Sequence, residues 1–411
     1  MIPTNTSYPR EKIKILLLEN ISGAATDAFK SADYTDVSTL GGALSEEQMI
    51  EAIQGVHVLG IRSKTRITSR ILAAADRLLA IGAFCIGTDQ IDLSAATLSG
   101  TAVFNSPYSN TRSVAELVLG SAIMLVRKIP DKNAGAHAGR WMKDSKGCNE
   151  LRGLTIGIVG YGNIGSQVSV LAESFGLRVV FYDVVSKLPL GNATPAESLE
   201  RLVSESDIVT IHVPAGTSTD NLINANTLRR MKAGAVLINY SRGNVVDIES
   251  LAESLKLGHL GGAAIDVFPV EPEKQGDAFT SPLQNLSNVL LTPHIGGSTE
   301  QAQRNIALDV SGRLVLYLET GSSDGSMSIP PVVLPQQSGT HRILHIHRNV
   351  PGVLGEINST ISNLGLNIVG QYLKTTDAVG YVILDFDKEL SAEGVDRLKS
   401  IDGTIRVRSV Y

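Results

Sequence analysis

GIVGYGNIG, Gly157 to Gly165, is the stretch whose reading decides the fold. Gly160, Gly162 and Gly165 form G-x-G-x-x-G directly after the apolar run LTIGIV and before a helical pattern that begins near Asn163. In such a turn the first glycine permits the bend, the second lets a pyrophosphate approach the backbone, and the third lets the helix pack on the strand. The amides at the helix N-terminus then face negative charge. A tight strand-to-helix turn with no ligand could also use these glycines, so the surrounding sequence has to decide. The next apolar run ends in FYD and puts Asp183 about twenty residues on, where a ribose ligand belongs. A carboxylate there accepts from ribose hydroxyls and repels a 2′-phosphate, so NAD is expected over NADP. Lys187 lies close enough in sequence to moderate that preference, but reads more simply as a solvated surface lysine.

Outward from the loop, apolar runs alternate with helical patterns on both sides. Upstream stand IKILLLEN, then LSEEQMIEAI with Ser45 and Gln48 spaced as a capping box, then VHVLGIRS and LLAIGAFC. A longer helical pattern, SVAELVLGSAIMLVRKI, runs from Ser113 to the approach of the loop. Downstream come RVVFYD, DIVTIHV, AVLINYS, AAIDVF and NVLLTPH, then a helical stretch from Thr299 to about Leu318. This alternation predicts parallel sheets with helices on both faces. A Gly/Ser/Pro-rich segment, TGSSDGSMSIPPVVLPQQSGT, reads as a linker. The tail beyond it has the order β-α-β-β-α-β of a ferredoxin-like domain.

Composition narrows the function classes. The chain has 411 residues, 43% hydrophobic and 19% charged, with a net charge of -5, which offers no electrostatic case for nucleic acid or an anionic membrane. Cys85 and Cys148 lack metal-ligand spacing, and two cysteines fit a reduced cytoplasmic protein. The start MIPTNTSYPREK has no apolar signal region and no run approaches a membrane span, so a cytoplasmic location is expected.

Three later strand ends carry candidate chemistry: NYSRG presents Arg242, DVFPVEP presents Glu271 and TPHIGGST presents His294. Hydride transfer from a hydroxy acid needs a cation for the carboxylate, a base for the hydroxyl proton and a partner for that base. Singly, each residue could be an ordinary surface or strand-end group; all three following strands of one nucleotide-binding sheet favours the chemical reading.

The collinear motifs IGAFCIGTDQIDL, NSPYSNTRSVAEL, GIVGYGNIG, KLPLGNAT, SRGNVVDI, AAIDVFPVEP, LTPHIGGST, HIHRNVPGVLGEIN and GTIRVRSVY resemble the D-isomer-specific 2-hydroxyacid dehydrogenases that carry a C-terminal ACT domain. The resemblance implies an α/β chain of two Rossmann-like domains plus a ferredoxin-like ACT domain, with the nucleotide-binding domain inserted into the substrate domain. The implied boundaries are 1–106 with 300–330 for the substrate domain, 107–299 for the NAD domain, 331–339 for a linker and 340–411 for the ACT domain. It further implies that Arg242 binds the substrate carboxylate, His294 is the acid/base and Glu271 hydrogen-bonds His294. NAD contacts carried over are Gly160, Gly162, Asn163, Ile164, Gly165, Asp183, His212, Val213, Pro214, Tyr240, Asp266 and Gly297. Tyr240 stands where the bacterial members usually have a small residue, and Asn163 replaces a common histidine.

The implied reaction is NAD-dependent oxidation of 3-phospho-D-glycerate (3-phosphoglycerate) to 3-phosphohydroxypyruvate, the first step of phosphorylated L-serine biosynthesis, with 2-oxoglutarate reduction as a side activity. The resemblance also implies substrate contacts from Arg62, Ser63, Asn110 and Arg242; of these, the guanidinium forks suit phosphate and carboxylate. Arg62 has the alternative of a structural ion pair. Arg140, Lys143 and Lys146 around Trp141 read equally as a solvated basic loop or as a contact to the substrate phosphate or to an anion in a neighbouring subunit.

His345 and His347 share a strand face, but two histidines make weak metal evidence and no metal is expected. The ACT resemblance instead implies L-serine as effector at His347, Asn349 and Asn367, bound where two tails pair edge to edge in a homotetramer. Two rivals remain: a dehydrogenase of another hydroxy acid, told apart by whether a substrate phosphate improves turnover, and a non-catalytic NAD-sensing protein of the same fold.

Overall fold

The computed structural model describes residues 8–272, 276–334 and 340–410. Contacts divide the chain into two units, Met1–Ser109 with Gln303–Tyr411, and Asn110–Ala302.

In the first unit, β1 (Ile15–Leu17), β2 (Val37–Thr39), β3 (Val58–Ile61), β4 (Ala80–Ala83) and β5 (Ala102–Asn105) form a parallel sheet ordered β2-β1-β3-β4-β5. β1, β3, β4 and β5 are buried along their whole length, as strands covered by helices on both faces must be. The Glu46–Ala52 helix begins with the expected capping box: Ser45 Oγ accepts from Gln48 N–H at 3.3 Å and Gln48 Oε1 accepts from Ser45 N–H at 3.0 Å.

The second unit holds β6 (Thr155–Val159), β7 (Arg178–Tyr182), β8 (Thr194–Pro195), β9 (Ile208–Ile211), β10 (Val236–Asn239), β11 (Gly262–Ile265) and β12 (Val289–Leu291). They pair in parallel in the order β12-β11-β10-β9-β6-β7-β8. The winding reverses between β6 and β9, the place where ligands bind in doubly wound sheets. One helical pattern upstream of this sheet is interrupted: the Thr111–Val126 helix stops, Lys128 turns left-handed at φ 52°, and a separate helix runs from Ile129 to His137. Pro130 has no N–H to donate to the Val126 carbonyl four residues back, and its ring crowds that carbonyl, so one helix cannot run through it and the break follows.

The tail belongs to the first unit. β13 (His341–Arg348), β14 (Ile368–Thr375), β15 (Val379–Phe386) and β16 (Thr404–Ser409) form an antiparallel sheet ordered β14-β15-β13-β16, with helices Val353–Asn363 and Ala392–Lys399 between strands. This is the expected β-α-β-β-α-β order. Leu344, Ile346, Tyr381 and Ile383 from this sheet share a core with Val310, Leu314 and Tyr317 of the Glu300–Thr320 helix.

The stretch read as a linker behaves otherwise through Leu334. Ile329, Val332 and Leu334 are buried, Ser323 Oγ donates to Pro330 O at 2.6 Å, and Ser328 Oγ donates to Thr101 O at 2.7 Å. The small polar residues satisfy buried backbone groups while the prolines and aliphatics fill the core, so composition mimicked a solvated segment. The remainder of that stretch, 335–339, lies outside the described residues. Among the described residues no helix is long and apolar enough to cross a membrane.

Candidate active site

The glycine loop follows β6. Gly160 has φ 91°, and a Cβ there would lie 2.5 Å from His212 O; a Cβ on Gly165 would lie 2.1 Å from Gly160 O. Both glycines are thus required by close backbone approach. Gly162 differs, because a Cβ there would meet nothing within 4 Å. Open space therefore stands at the N-terminus of the Asn163–Ser174 helix, where a pyrophosphate would need it. Asp183 closes the loop from β7: Oδ2 accepts from Tyr161 N–H at 2.8 Å and Oδ1 from Val185 N–H at 2.9 Å.

At the end of β9, His212 Nε2 meets Thr210 Oγ1 at 2.9 Å while Nδ1 is buried without a partner. Burial pushes the imidazole pKa down to about 3, so the ring is neutral. Val213 is half-buried and Pro214 is exposed, next to that ring. An open glycine cradle, a carboxylate at the β7 end and an orphaned ring nitrogen at the β9 end suit a dinucleotide.

Tyr240 departs from the expected cofactor contact. Its side chain is buried in the core, its hydroxyl meets Ser121 Oγ at 2.6 Å, and burial pushes its pKa up to about 12. The phenol fills the volume between β10 and the Thr111–Val126 helix, so only its main chain remains for a ligand.

The reactive pair stands after β11 and β12. His294 Nδ1 lies 2.8 Å from Glu271 Oε2, and Glu271 Oε1 accepts from Phe268 N–H at 3.1 Å. The side chains are 54% and 36% exposed, so the pair is open to a ligand. The hydrogen bond that His294 donates to Glu271 raises the pKa of His294 above its ordinary value, against the opposing effects of burial and of Arg242. For Glu271, burial favours the neutral acid, yet the hydrogen bond and charge of His294 prevail and lower its pKa. Arg242 follows β10; its Nη1 donates to Ser241 O at 2.9 Å, and its charge acts on both members of the pair.

Three residues hold this constellation in ways the sequence did not disclose. Asp266 is 1% exposed; Oδ1 accepts from Thr292 Oγ1 at 2.6 Å and Ile295 N–H at 2.8 Å, and Oδ2 from Gly296 N–H at 2.8 Å. A residue expected to contact the cofactor therefore also clamps the loop that presents His294. That loop holds His294 at φ 55°, a conformation a non-glycine residue keeps only when its surroundings enforce it. Asn239 is fully buried and ties the Arg242 turn, donating from Nδ2 to Arg242 O at 3.0 Å and accepting from Ser241 N–H at 3.1 Å. Gly243 would place a Cβ 2.0 Å from the Phe268 carbonyl carbon, so only glycine lets the Arg242 turn approach the Glu271 turn. A buried asparagine or aspartate at a strand end was the available signal.

Asn110 and Gly297 also meet in this unit: a Cβ on Gly297 would lie 2.3 Å from Asn110 Nδ2, and Asn110 Oδ1 is buried without a partner. Arg62 and Ser63 belong to the other unit, on the turn after β3. No carboxylate pairs with the Arg62 guanidinium among the described residues; its Nη1 donates to Glu19 O at 3.5 Å, which leaves the structural ion pair without a partner.

In the tail, His347 is 3% exposed with Nδ1 unpartnered, and Asn349 Nδ2 donates to Thr376 O at 2.8 Å. Asn367 is not brought to them. Register pairs His347 with Gly380 and Gly380 with Thr375, whereas Ile368, next to Asn367, pairs with Phe386 opposite His341. The three residues thus occupy opposite ends of one sheet. The Trp141 loop projects from the second unit, with Trp141 87% exposed and Lys132 Nζ donating to Asp144 O at 2.7 Å beneath it.

Residues 119–296 match the family model "D-isomer specific 2-hydroxyacid dehydrogenase, NAD binding domain", and residues 343–406 match the "AHAS small subunit-like ACT domain". A D-3-phosphoglycerate dehydrogenase of Haemophilus influenzae is 49% identical over 405 residues, 98% of this chain and 99% of that one. One of Escherichia coli is 49% identical over 407 residues, with the same shares covered. Among solved structures, the TT0316 protein of Thermus thermophilus superposes with a TM-score of 0.68 at 32% identity, covering 78% of this chain and all of that one.

Proposed function

The chain belongs to the D-isomer specific 2-hydroxyacid dehydrogenases and is an NAD-dependent oxidoreductase with an ACT domain, and on that premise we propose that it oxidises 3-phosphoglycerate to 3-phosphohydroxypyruvate under feedback inhibition by L-serine. The observation that carries the chemistry is the 2.8 Å bond between His294 Nδ1 and Glu271 Oε2. With Nδ1–H donating to the carboxylate, Nε2 keeps its lone pair and acts as the base.

Bound NAD supplies a hydride acceptor for C2. His294 Nε2 removes the C2 hydroxyl proton, and Glu271 stabilises the imidazolium that results. Arg242 holds the substrate carboxylate through two parallel hydrogen bonds and draws charge toward the C2 oxygen. In the reverse direction the imidazolium returns the proton. Arg62 and Ser63 receive the substrate phosphate, and Asn110 contributes a further polar contact. The identity of the substrate is supported by the relatives that share about half their residues with this chain over nearly its full length. A site of this kind also accommodates 2-oxoglutarate, reducing it to 2-hydroxyglutarate.

For the serine effector, the opposite placement of Asn367 and the His347–Asn349 turn argues for a site completed by a second copy. β14 is an edge strand of its sheet, and antiparallel pairing of two β14 edges would bring Asn367 of one chain toward the His347 end of the other. The exposed Trp141 is a second surface for contact between copies, in keeping with a homotetramer.

The test is NADH formation from 3-phosphoglycerate and NAD with product removed by a coupled step, repeated with serine present. Turnover suppressed by serine supports both parts. Turnover indifferent to serine removes the effector, and a preference for a substrate without phosphate moves the assignment to another hydroxy acid.

A further inference from the structure

We propose that Glu19 is a positioning residue for the substrate phosphate, acting through the Arg62–Thr65 turn; this rests on the proposal that Arg62 and Ser63 receive that phosphate. β1 ends at Leu17, and the two residues after Leu18 turn left-handed, Glu19 at φ 60° and Asn20 at φ 51°. Two consecutive non-glycine residues in that region persist only where surrounding contacts hold them, and such strain concentrates at functional sites. Here the strain turns a carboxylate inward, to 7% exposure.

The carboxylate then gathers the next loop. Glu19 Oε1 accepts from Thr65 N–H at 2.8 Å and Arg62 N–H at 3.3 Å, and Oε2 accepts from Lys64 N–H at 3.0 Å. The Arg62 carbonyl is fixed from the other side by Gln90 Nε2 at 2.7 Å. Among the described residues no lysine, arginine or histidine pairs with Glu19, so its charge is directed entirely to backbone donors.

Of the successive N–H groups from Arg62 to Thr65, only that of Ser63 has no partner among the described residues, and Ser63 is exposed. The turn therefore offers one backbone N–H and one hydroxyl beside a guanidinium without a carboxylate partner, a donor set suited to an anion. An acceptor-only group is needed to make that shape. Glutamine has the same size but one accepting oxygen, and its NH₂ would confront the backbone N–H groups that Glu19 now receives.

The test is steady-state kinetics on the full chain. Glu19→Gln is expected to raise KM for 3-phosphoglycerate roughly 10- to 100-fold, with kcat changed far less, because the loss falls on phosphate binding and not on the proton transfer. Inhibition by inorganic phosphate should weaken in parallel, while NADH affinity by fluorescence titration stays at the wild-type value. Glu19→Asp, shorter by one methylene but still a carboxylate, is expected to fall between the two.

Arg62→Ala separates the positioning role of Glu19 from phosphate binding at Arg62 and Ser63. If Arg62→Ala raises KM and a folded Glu19→Gln does not, the positioning role is overturned and the phosphate reading stands. If neither changes KM, the phosphate reading falls and takes the positioning role with it. Should Glu19→Gln fail to fold, Glu19→Asp decides: a raised KM supports the role and a wild-type KM overturns it.

Discussion

The proton affinity of one imidazole sets how this site responds to pH. Because the Glu271 hydrogen bond raises the pKa of His294, the protonated form persists above the pH at which a free histidine would lose its proton. Oxidation needs the neutral ring, so its rate should rise with pH through the His294 pKa; reduction needs the imidazolium and should fall through the same range. Glu271→Gln removes the carboxylate that favours the charge. Both midpoints should then move to lower pH, with a loss of kcat because the ring is less firmly oriented. His294→Ala should lower kcat by about 10²–10⁴-fold. Paired pH–rate profiles in the two directions check this; an unshifted midpoint in Glu271→Gln would remove Glu271 as the tuning group. The residue types and their strand-end positions were legible in the sequence. The left-handed φ of His294 and its cause were not, since Asp266 reaches the 292–296 loop only once β11 and β12 lie side by side.

Among the elements, the glycine turn after β6 was the most legible, because each glycine reports a backbone requirement rather than a side-chain contact. The structure separates those requirements. Gly165 abuts the Gly160 carbonyl, so an added methyl must push the Asn163–Ser174 helix off the sheet. Gly162 faces open space, so an added methyl obstructs only an incoming ligand. Gly165→Ala should therefore lower both the melting temperature and NADH affinity, whereas Gly162→Ala should keep the wild-type melting temperature and lose affinity by at least about tenfold. Thermal unfolding with NADH fluorescence titration distinguishes them, and equal loss of stability in both would contradict the division of roles. The stop at Lys128 was harder to see, since the apolar periodicity of SVAELVLGSAIMLVRKI continues up to Ile129 and only Pro130 argues for a break.

For the whole molecule, the alternation of apolar runs disclosed the parallel sheets and the tail's element order, but not how the tail is held. The Gly/Ser/Pro-rich stretch looked like a tether, although its described part is packed through Ile329, Val332 and Leu334. Arg342 in HRILHIHR and Asp385 are both fully buried. Nε lies 2.6 Å from Oδ1, Nη2 lies 2.8 Å from Oδ2, and Nη1 donates to Thr320 O at 3.0 Å, at the end of the Glu300–Thr320 helix. The partner is 43 positions away, opposite Arg342 in the β13–β15 register, so neither residue alone announces the pair. Nearby, Tyr381 Oη donates to Gly321 O at 2.6 Å, which pins the same helix end to the tail's sheet. Arg342→Leu leaves the Asp385 carboxylate buried without its counter-charge and should destabilise the first unit by about 3–5 kcal/mol. Replacing both members, Arg342→Leu with Asp385→Leu, removes the uncompensated charge along with the pair, so much of that loss should be recovered. Denaturant unfolding of the single and double variants measures the coupling. A double variant no more stable than Arg342→Leu would mean that the contact to Thr320, not the buried charge, is what secures the tail.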